Sequence, residues 1–315
     1  MAETVSLITL DEIRAAQARI AGVAVRTPLV ALPVAGAAGE VFVKNEGLQA
    51  TGSFKLRGAY NRIAQLTADE RGRGVVAYSS GNHAQGVAYA ARALGVKAVI
   101  VMPSNAPEVK RTATAALGAE IVLVDASSAA RKQKSEEMAA EFGYVLVPPY
   151  DDAAIIAGQG TCGLEIVEQL PDVDLVLAPV SGGGLLSGVA AAVKHLRPEA
   201  RVIGVEPELA GDAQDSFRSG TLVTWPAEKT TRTICDGLRT QSLGALNFEH
   251  IRVLVDDIVT VAEDEIRGAV QALHTAGLTA EPSGAVATAA VLFHETELLP
   301  YRKAVAILSG GNYSP

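Results

Sequence analysis

Short β-rich apolar runs alternate with longer Ala-rich stretches whose apolar positions recur at helical spacing. Thr9-Leu10-Asp11-Glu12 reads as a capping box, with Leu10, Ile13, Ala16 and Ile20 at helical spacing behind it and Gly22 placed to end the helix. Strands are predicted at 41–43, 75–78, 98–102, 121–124 and 144–147. Helices are predicted at 84–94, 107–117 and 128–142, with Gly95, Gly118 and Gly143 in the stop positions behind them. A strand at 174–178, a helix at 185–196 and a strand at 201–205 continue the alternation. Regularity then fails from 207 to about 248, where Gly, Ser, Thr, Pro and Trp225 collect. A strand at 253–261, helices at 263–276 and 283–293 and a last strand at 304–308 complete the pattern.

Strand alternating with helix implies an α/β protein with mostly parallel sheets covered on both faces. No repeat of 20–50 residues and no Pro- or Ser-rich linker divides the chain, so two domains would have to be interleaved. In such folds ligands sit beyond the carboxyl ends of the strands, where turns lead into helices.

The 315 residues are 49% hydrophobic and 20% charged, enough for a sizeable core and too apolar for a disordered chain. Lys+Arg of 27 against Asp+Glu of 35 leaves a net charge of −8, and no basic patch offsets it, so nucleic acid is not an expected partner. Two cysteines, Cys162 and Cys235, exclude a disulfide framework and suit a reducing cytoplasm. No secretory signal and no run near the roughly 20 apolar residues of a membrane span is present.

Four turns carry candidate chemistry. In Thr51-Gly52-Ser53-Phe54-Lys55 a lysine opens a helix, where the local positive field favours its neutral, nucleophilic amine; on these residues alone an ordinary solvated lysine fits as well. Ser79-Ser80-Gly81-Asn82-His83 follows a strand and offers backbone N–H groups to an anion such as a carboxylate, with Asn82 as a side-chain donor and His83 as a possible base; a capped helix with a structural histidine is the alternative. Ser181-Gly182-Gly183-Gly184-Leu185 lets an anion approach bare backbone and forms a candidate phosphate cradle, without the G-K-[ST] ending of a P-loop. Leu308-Ser309-Gly310-Gly311-Asn312 places a serine hydroxyl at a strand end.

Taken in order, these segments resemble the serine/threonine dehydratase and serine racemase family of pyridoxal-phosphate enzymes, whose fold is that of the tryptophan synthase β-subunit. Ser53-Phe54-Lys55 matches the family's S-F-K, Ser80–His83 its S-G-N-H and Ser309–Asn312 its S-G-G-N. Ser181 to Leu185 matches its phosphate loop, although the first position is often Gly there, and Asp236-Gly237-Leu238 matches its D-G segment. The resemblance covers nearly the whole chain. It implies two interleaved three-layer αβα domains: a large cofactor-binding one of 1–67 and 150–315 and a small substrate-gating one of 68–149. It makes Lys55 the Schiff-base lysine. Phe54, Asn82, Ser181, Gly182, Gly183, Gly184, Leu185, Gly237 and Ser309 join it around pyridoxal 5'-phosphate, with Asn82 on the phenolic oxygen and Ser309 at the pyridine nitrogen. Ser79, Ser80, Gly81, Asn82 and His83 would bind the substrate carboxylate.

The activity so implied is a dehydratase, or ammonia-lyase, that acts by β-elimination on serine, threonine or 3-hydroxyaspartate to give a 2-oxo acid and ammonia. Lys55 would take the Cα proton. Ser80, on the opposite face, would be the second catalytic residue of a racemase, the alternative activity; a non-catalytic cofactor-binding protein is a further alternative. Glu206, Ala210 and Asp212 resemble the divalent-cation site of the family, for Mg²⁺, Mn²⁺ or Ca²⁺. A cytoplasmic homodimer with a small amino-acid substrate is the expected form.

Overall fold

The computed structural model describes residues 6–312 apart from Ser80, Ala126 and the side chain of Ser128. The described strands are β1 (Leu29–Ala31), β2 (Glu40–Asn45), β3 (Val75–Tyr78), β4 (Ala98–Pro103), β5 (Glu120–Val124), β6 (Val145–Leu146), β7 (Leu175–Pro179), β8 (Arg201–Pro207), β9 (Asp257–Val261) and β10 (Lys303–Leu308). They form a four-stranded sheet in the order β5-β4-β3-β6 and a six-stranded sheet in the order β1-β2-β10-β7-β8-β9. Every pairing is parallel except the edge pair β1–β2.

Both sheets are covered on two faces. Along β7, Leu175 and Leu177 enter one apolar cluster with the Pro282–Phe293 helix, while Val176 and Ala178 enter another with the Gly184–Leu196 helix. Along β3, Val75 and Ala77 separate from Val76 in the same way. The period of two thus sorts side chains between layers, and near-continuous apolar strands are the consequence. Among the described residues no helix is long and apolar enough to cross a membrane.

The Thr9 capping box forms as read: Glu12 N–H donates to Thr9 Oγ1 at 3.3 Å and Thr9 N–H to Glu12 Oε2 at 2.8 Å, opening the Leu10–Ile20 helix. Gly95, Gly118 and Gly143 all take positive φ. The pattern missed the longest helix, Ala153–Gln169, because every side chain from Ile155 to Val167 is buried and no polar stripe marks its period. It crosses the Lys55–Ala64 helix at Gly158 and Gly58, where a Cβ on Gly158 would stand 2.6 Å from the Gly58 Cα. The segment read as irregular carries the Asp212–Ser219 and Ala245–Leu254 helices, and the strand read as 253–261 begins only at Asp257. Val253 and Leu254 end a helix there, and the Asp256-Asp257 pair that interrupts the apolar run marks the division.

A buried ionic cluster anchors the start of the Lys55–Ala64 helix. Arg57 donates to both oxygens of Glu46 and both of Glu165, and Lys44 Nζ donates to Glu165 Oε2 at 2.6 Å. Two cations and two anions balance, which makes their burial tolerable.

Candidate active site

β2, β3, β7 and β10 all end toward one cleft. β10 lies between β2 and β7 with Leu308 in register with Asn45, so the turns following these strands meet. Phe54 N–H donates to Ser309 O at 3.1 Å and Gly311 N–H to Gly52 O at 2.9 Å, joining the lysine segment to the serine segment. Ser53 and Gly310 form an isolated bridge.

Lys55 is the first residue of its helix, and Phe54 before it contributes no side-chain cap. The Lys55 Nζ donates to Pro149 O at 2.7 Å and lies 5.1 Å from the centroid of the Phe54 ring. Among the described residues no carboxylate pairs with it. Withdrawal from water without a counter-charge lowers its pKa from 10.5 to about 8, so a substantial neutral fraction exists near neutrality.

The anion loop follows β3. Ser79 Oγ accepts the Gly81 N–H at 3.2 Å, and Asn82 opens the Asn82–Ala93 helix with no side-chain cap from Gly81. Ser80 lies outside the described residues. His83 is buried: its Nε2 lies 2.9 Å from Val147 O, and burial, then the charge on Lys55, brings its pKa down to about 3. With a pKa near 3 the ring is a weak proton acceptor near neutrality.

Gly183 precedes the Gly184–Leu196 helix at φ 95, a left-handed conformation that favours glycine. Gly182 O accepts from Gly244 N–H at 3.0 Å and Asn247 Nδ2 at 2.8 Å, and Ser181 Oγ meets Thr240 Oγ1 at 2.9 Å. These bonds fix the outer side of the loop. The first-turn N–H groups at Gly184, Leu185 and Leu186 have no acceptor within their helix and suit a phosphate dianion. Gly237 N–H donates to Ser283 Oγ at 2.9 Å, and Ser309 is buried at the end of β10.

The divalent-cation expectation is corrected. Among the described residues no three His, Cys, Asp or Glu side chains are grouped to hold a metal ion. Glu206 Oε1 instead accepts the Gln214 N–H at 2.8 Å, in the first turn of the Asp212–Ser219 helix. Burial, then the neighbouring Asp212, drives the Glu206 carboxyl toward its protonated form, and burial brings Asp212 up to about 7. Ala210 lies buried in the turn between them.

Sequence reasoning missed Glu281 and Pro149, and named Asn312 only as part of the 308–312 turn. Glu281 is buried, with Oε1 2.6 Å from Asn82 Nδ2, and burial raises its pKa to about 7. Its one visible signal was an acid directly before Pro282 at a helix start, which ordinarily marks a solvated first turn.

A buried amine without a counter-ion, an open helix N-terminus behind three glycines and a donor amide at Asn82 fit an aldehyde-bearing, phosphorylated ring. Residues 20–310 match the family described as "Pyridoxal-phosphate dependent enzyme". The chain is 44% identical over 309 residues to the catabolic L-threonine dehydratase TdcB of Escherichia coli, covering 97% of this chain and 93% of that protein. It is 46% identical over 312 residues to an L-threonine ammonia-lyase of Thermotoga maritima, covering 97% and 76%. Maize serine racemase superposes with a TM-score of 0.93 at 39% identity, covering 98% of this chain and 95% of that one.

Proposed function

Since the chain belongs to the pyridoxal-phosphate dependent enzymes and has the fold of the tryptophan synthase β-subunit type, we propose that it converts L-threonine and L-serine to 2-oxo acids and ammonia, with Lys55 as both cofactor anchor and Cα base. The protein is a carbon–nitrogen lyase of the threonine/serine dehydratase type that acts on hydroxy amino acids. The choice of L-threonine and L-serine rests on the 44% and 46% identity to enzymes named for L-threonine.

The single observation that carries the role of Lys55 is its desolvated amine, held in the cleft by one carbonyl and with its pKa lowered to about 8. When bound, pyridoxal phosphate supplies an electron sink for the electrons released at Cα. The residues of this chain do the rest. The neutral Lys55 amine takes the Cα proton. The first-turn N–H groups behind Gly183 hold the phosphate. The 79–83 loop receives the substrate carboxylate on its backbone N–H groups, and the Asn82 amide faces the phenolic oxygen of the cofactor. Ser309 offers a neutral hydroxyl to the ring nitrogen, a partner that does not force that nitrogen to stay protonated. The 68–149 unit gates the cleft against the unit formed by 1–67 and 150–315. In support, β3 to β6 lie within 75–146 and Lys110 pairs with Asp236. A cytoplasmic homodimer remains our reading of its form, supported for the compartment by two buried free cysteines.

A serine racemase activity is the second reading, favoured by the 0.93 TM-score with the maize enzyme. One experiment separates the two: L- and D-serine, L- and D-threonine and the 3-hydroxyaspartate stereoisomers are assayed for 2-oxo acid, for the opposite enantiomer and for solvent-deuterium uptake at Cα. L-threonine and L-serine are expected to give the fastest 2-oxo acid formation. Enantiomer formation outpacing 2-oxo acid, and lost in Ser80→Ala, would establish the racemase instead. No 2-oxo acid from any of the panel would overturn the lyase proposal.

A further inference from the structure

We propose that Glu281 is a positioning residue that holds the Asn82 side-chain amide in the orientation that leaves one N–H for the phenolic oxygen of the cofactor. This rests on Asn82 serving that oxygen, as read above. The orientation follows from a chain of hydrogen bonds in which only one end is ambiguous. Thr51 O can only accept, so the group facing it at 2.8 Å is the Asn312 amide nitrogen. The same Asn312 nitrogen lies 2.8 Å from the Asn82 oxygen and spends its second hydrogen there. The Asn82 nitrogen must then face Glu281, and it lies 2.6 Å from Oε1. One hydrogen of the Asn82 amide remains without an acceptor among the described residues.

The carboxyl is built into this place. Glu281 N–H donates to Gly310 O at 3.2 Å, and a Cβ on Gly310 would stand 2.2 Å from Glu281 Oε1 and 3.2 Å from Asn82 Nδ2. Glycine at 310 is therefore what lets the acid lie against the backbone of the serine segment. Glu281 makes no ion pair among the described residues, so its polar duty is the amide.

This contact is sensitive to pH. Burial raises the Glu281 pKa to about 7, the Asn82 bond opposes that rise, Asp236 on the 236–238 turn adds to it and Lys110 on the Glu108–Ala116 helix offsets it. The 309–312 segment and the Pro282–Phe293 helix bring no charged side chain, and His83 beside Asn82 stays neutral. Above about pH 7 an ionised carboxylate grips the amide with a charge-assisted bond; below it the acid is a weaker acceptor and gains a competing O–H donor.

The test measures the affinity of the apoprotein for pyridoxal phosphate between pH 6 and 8.5, in a Lys55→Ala background that removes the lysine's own titration. Affinity is expected to fall roughly three- to tenfold from pH 8 to pH 6, beyond the change seen with Glu281→Gln, whose amide cannot titrate. With Asn82→Ala, affinity should be weaker throughout and Glu281→Gln should add nothing. An unchanged pH step in Glu281→Gln, or an equal effect of that substitution with and without Asn82, overturns the proposal while leaving Asn82 at the cofactor. Unchanged affinity in Asn82→Ala overturns both. As a measurement that needs no substitution at 281, ¹³C-carboxyl-labelled glutamate should show a resonance titrating near 7 that moves in Asn82→Ala. A glutamate set in which no carboxyl titrating near 7 responds to Asn82→Ala counts against the proposal.

Discussion

Arg57 grips Glu46 through two parallel hydrogen bonds, Nε to Oε2 at 2.7 Å and Nη2 to Oε1 at 2.8 Å, and both side chains are fully buried. Two residues before this arginine stands Lys55, so the pair fixes the turn of helix that presents the reactive amine. Bidentate geometry of this kind supplies direction as well as energy.

Arg57→Ala leaves Glu46 buried without its partner and is expected to cost about 3–5 kcal/mol in urea unfolding. In the parent, burial opposes ionisation of Glu46, but Arg57 and Lys44 outweigh it and hold the carboxyl below its ordinary 4.5. Its contribution is therefore present above pH 4.5 and lost as pH falls through the lower folded value. Without Arg57, burial prevails and the folded value rises above the unfolded one, so stability is lost as pH rises. The gap between parent and variant should widen from pH 4 to pH 7; a gap independent of pH would show that Glu46 is not the charge Arg57 serves.

Lys55→Ala is expected to lower 2-oxo acid formation by more than about a thousandfold, because anchor and base are lost together. With its pKa lowered to about 8, the amine of the parent apoprotein is protonated below that pH and neutral above it. Covalent capture of pyridoxal phosphate, followed by absorbance, should therefore quicken through about pH 8. A midpoint near 10.5 would mean that the lysine is solvated.

Gly158→Ala is expected to destabilise by about 1–3 kcal/mol, since the new Cβ meets Gly58 Cα at 2.6 Å and Arg57 O at 2.8 Å, both rigid backbone. Gly95→Ala serves as contrast: nothing lies within 4 Å of its Cβ, and only its φ of 65° is unfavourable, a cost of roughly 1–2 kcal/mol. Cofactor affinity should fall in the first variant and stay unchanged in the second.

Lys110 on the Glu108–Ala116 helix and Asp236 on the 236–238 turn form an ion pair with 33% and 48% of their side chains exposed. Exposure limits such a pair to about 0–1 kcal/mol. A double-mutant cycle of Lys110→Ala with Asp236→Ala should give a coupling in that range in dilute buffer and close to zero near 1 M salt, where the screening length is roughly 3 Å. A larger, salt-independent coupling would mark the pair as a desolvated latch.

The sequence alone determined the parts that follow from local rules. Thr9 and Glu12 are three residues apart whatever the rest of the chain does, so their capping box was legible, as were the glycines that stop helices and the loops behind β3, β7 and β10. Motif order then pointed to the family and, through it, to Lys55, Asn82 and Ser309. Only the tertiary structure decided what depends on burial. The Ala153–Gln169 helix carries no amphipathic stripe because neighbours surround it, and Glu281 reads as a surface acid until the fold lays it on Gly310. Glu206 and Asp212 looked like cation ligands, yet the fold brings no third side chain of that kind beside them. Periodicity and capping are properties of a few neighbouring residues; desolvation, and the pKa and partner it imposes on a side chain, belong to residues far apart in the chain, as Asn82 and Glu281 are at a separation of 199 positions.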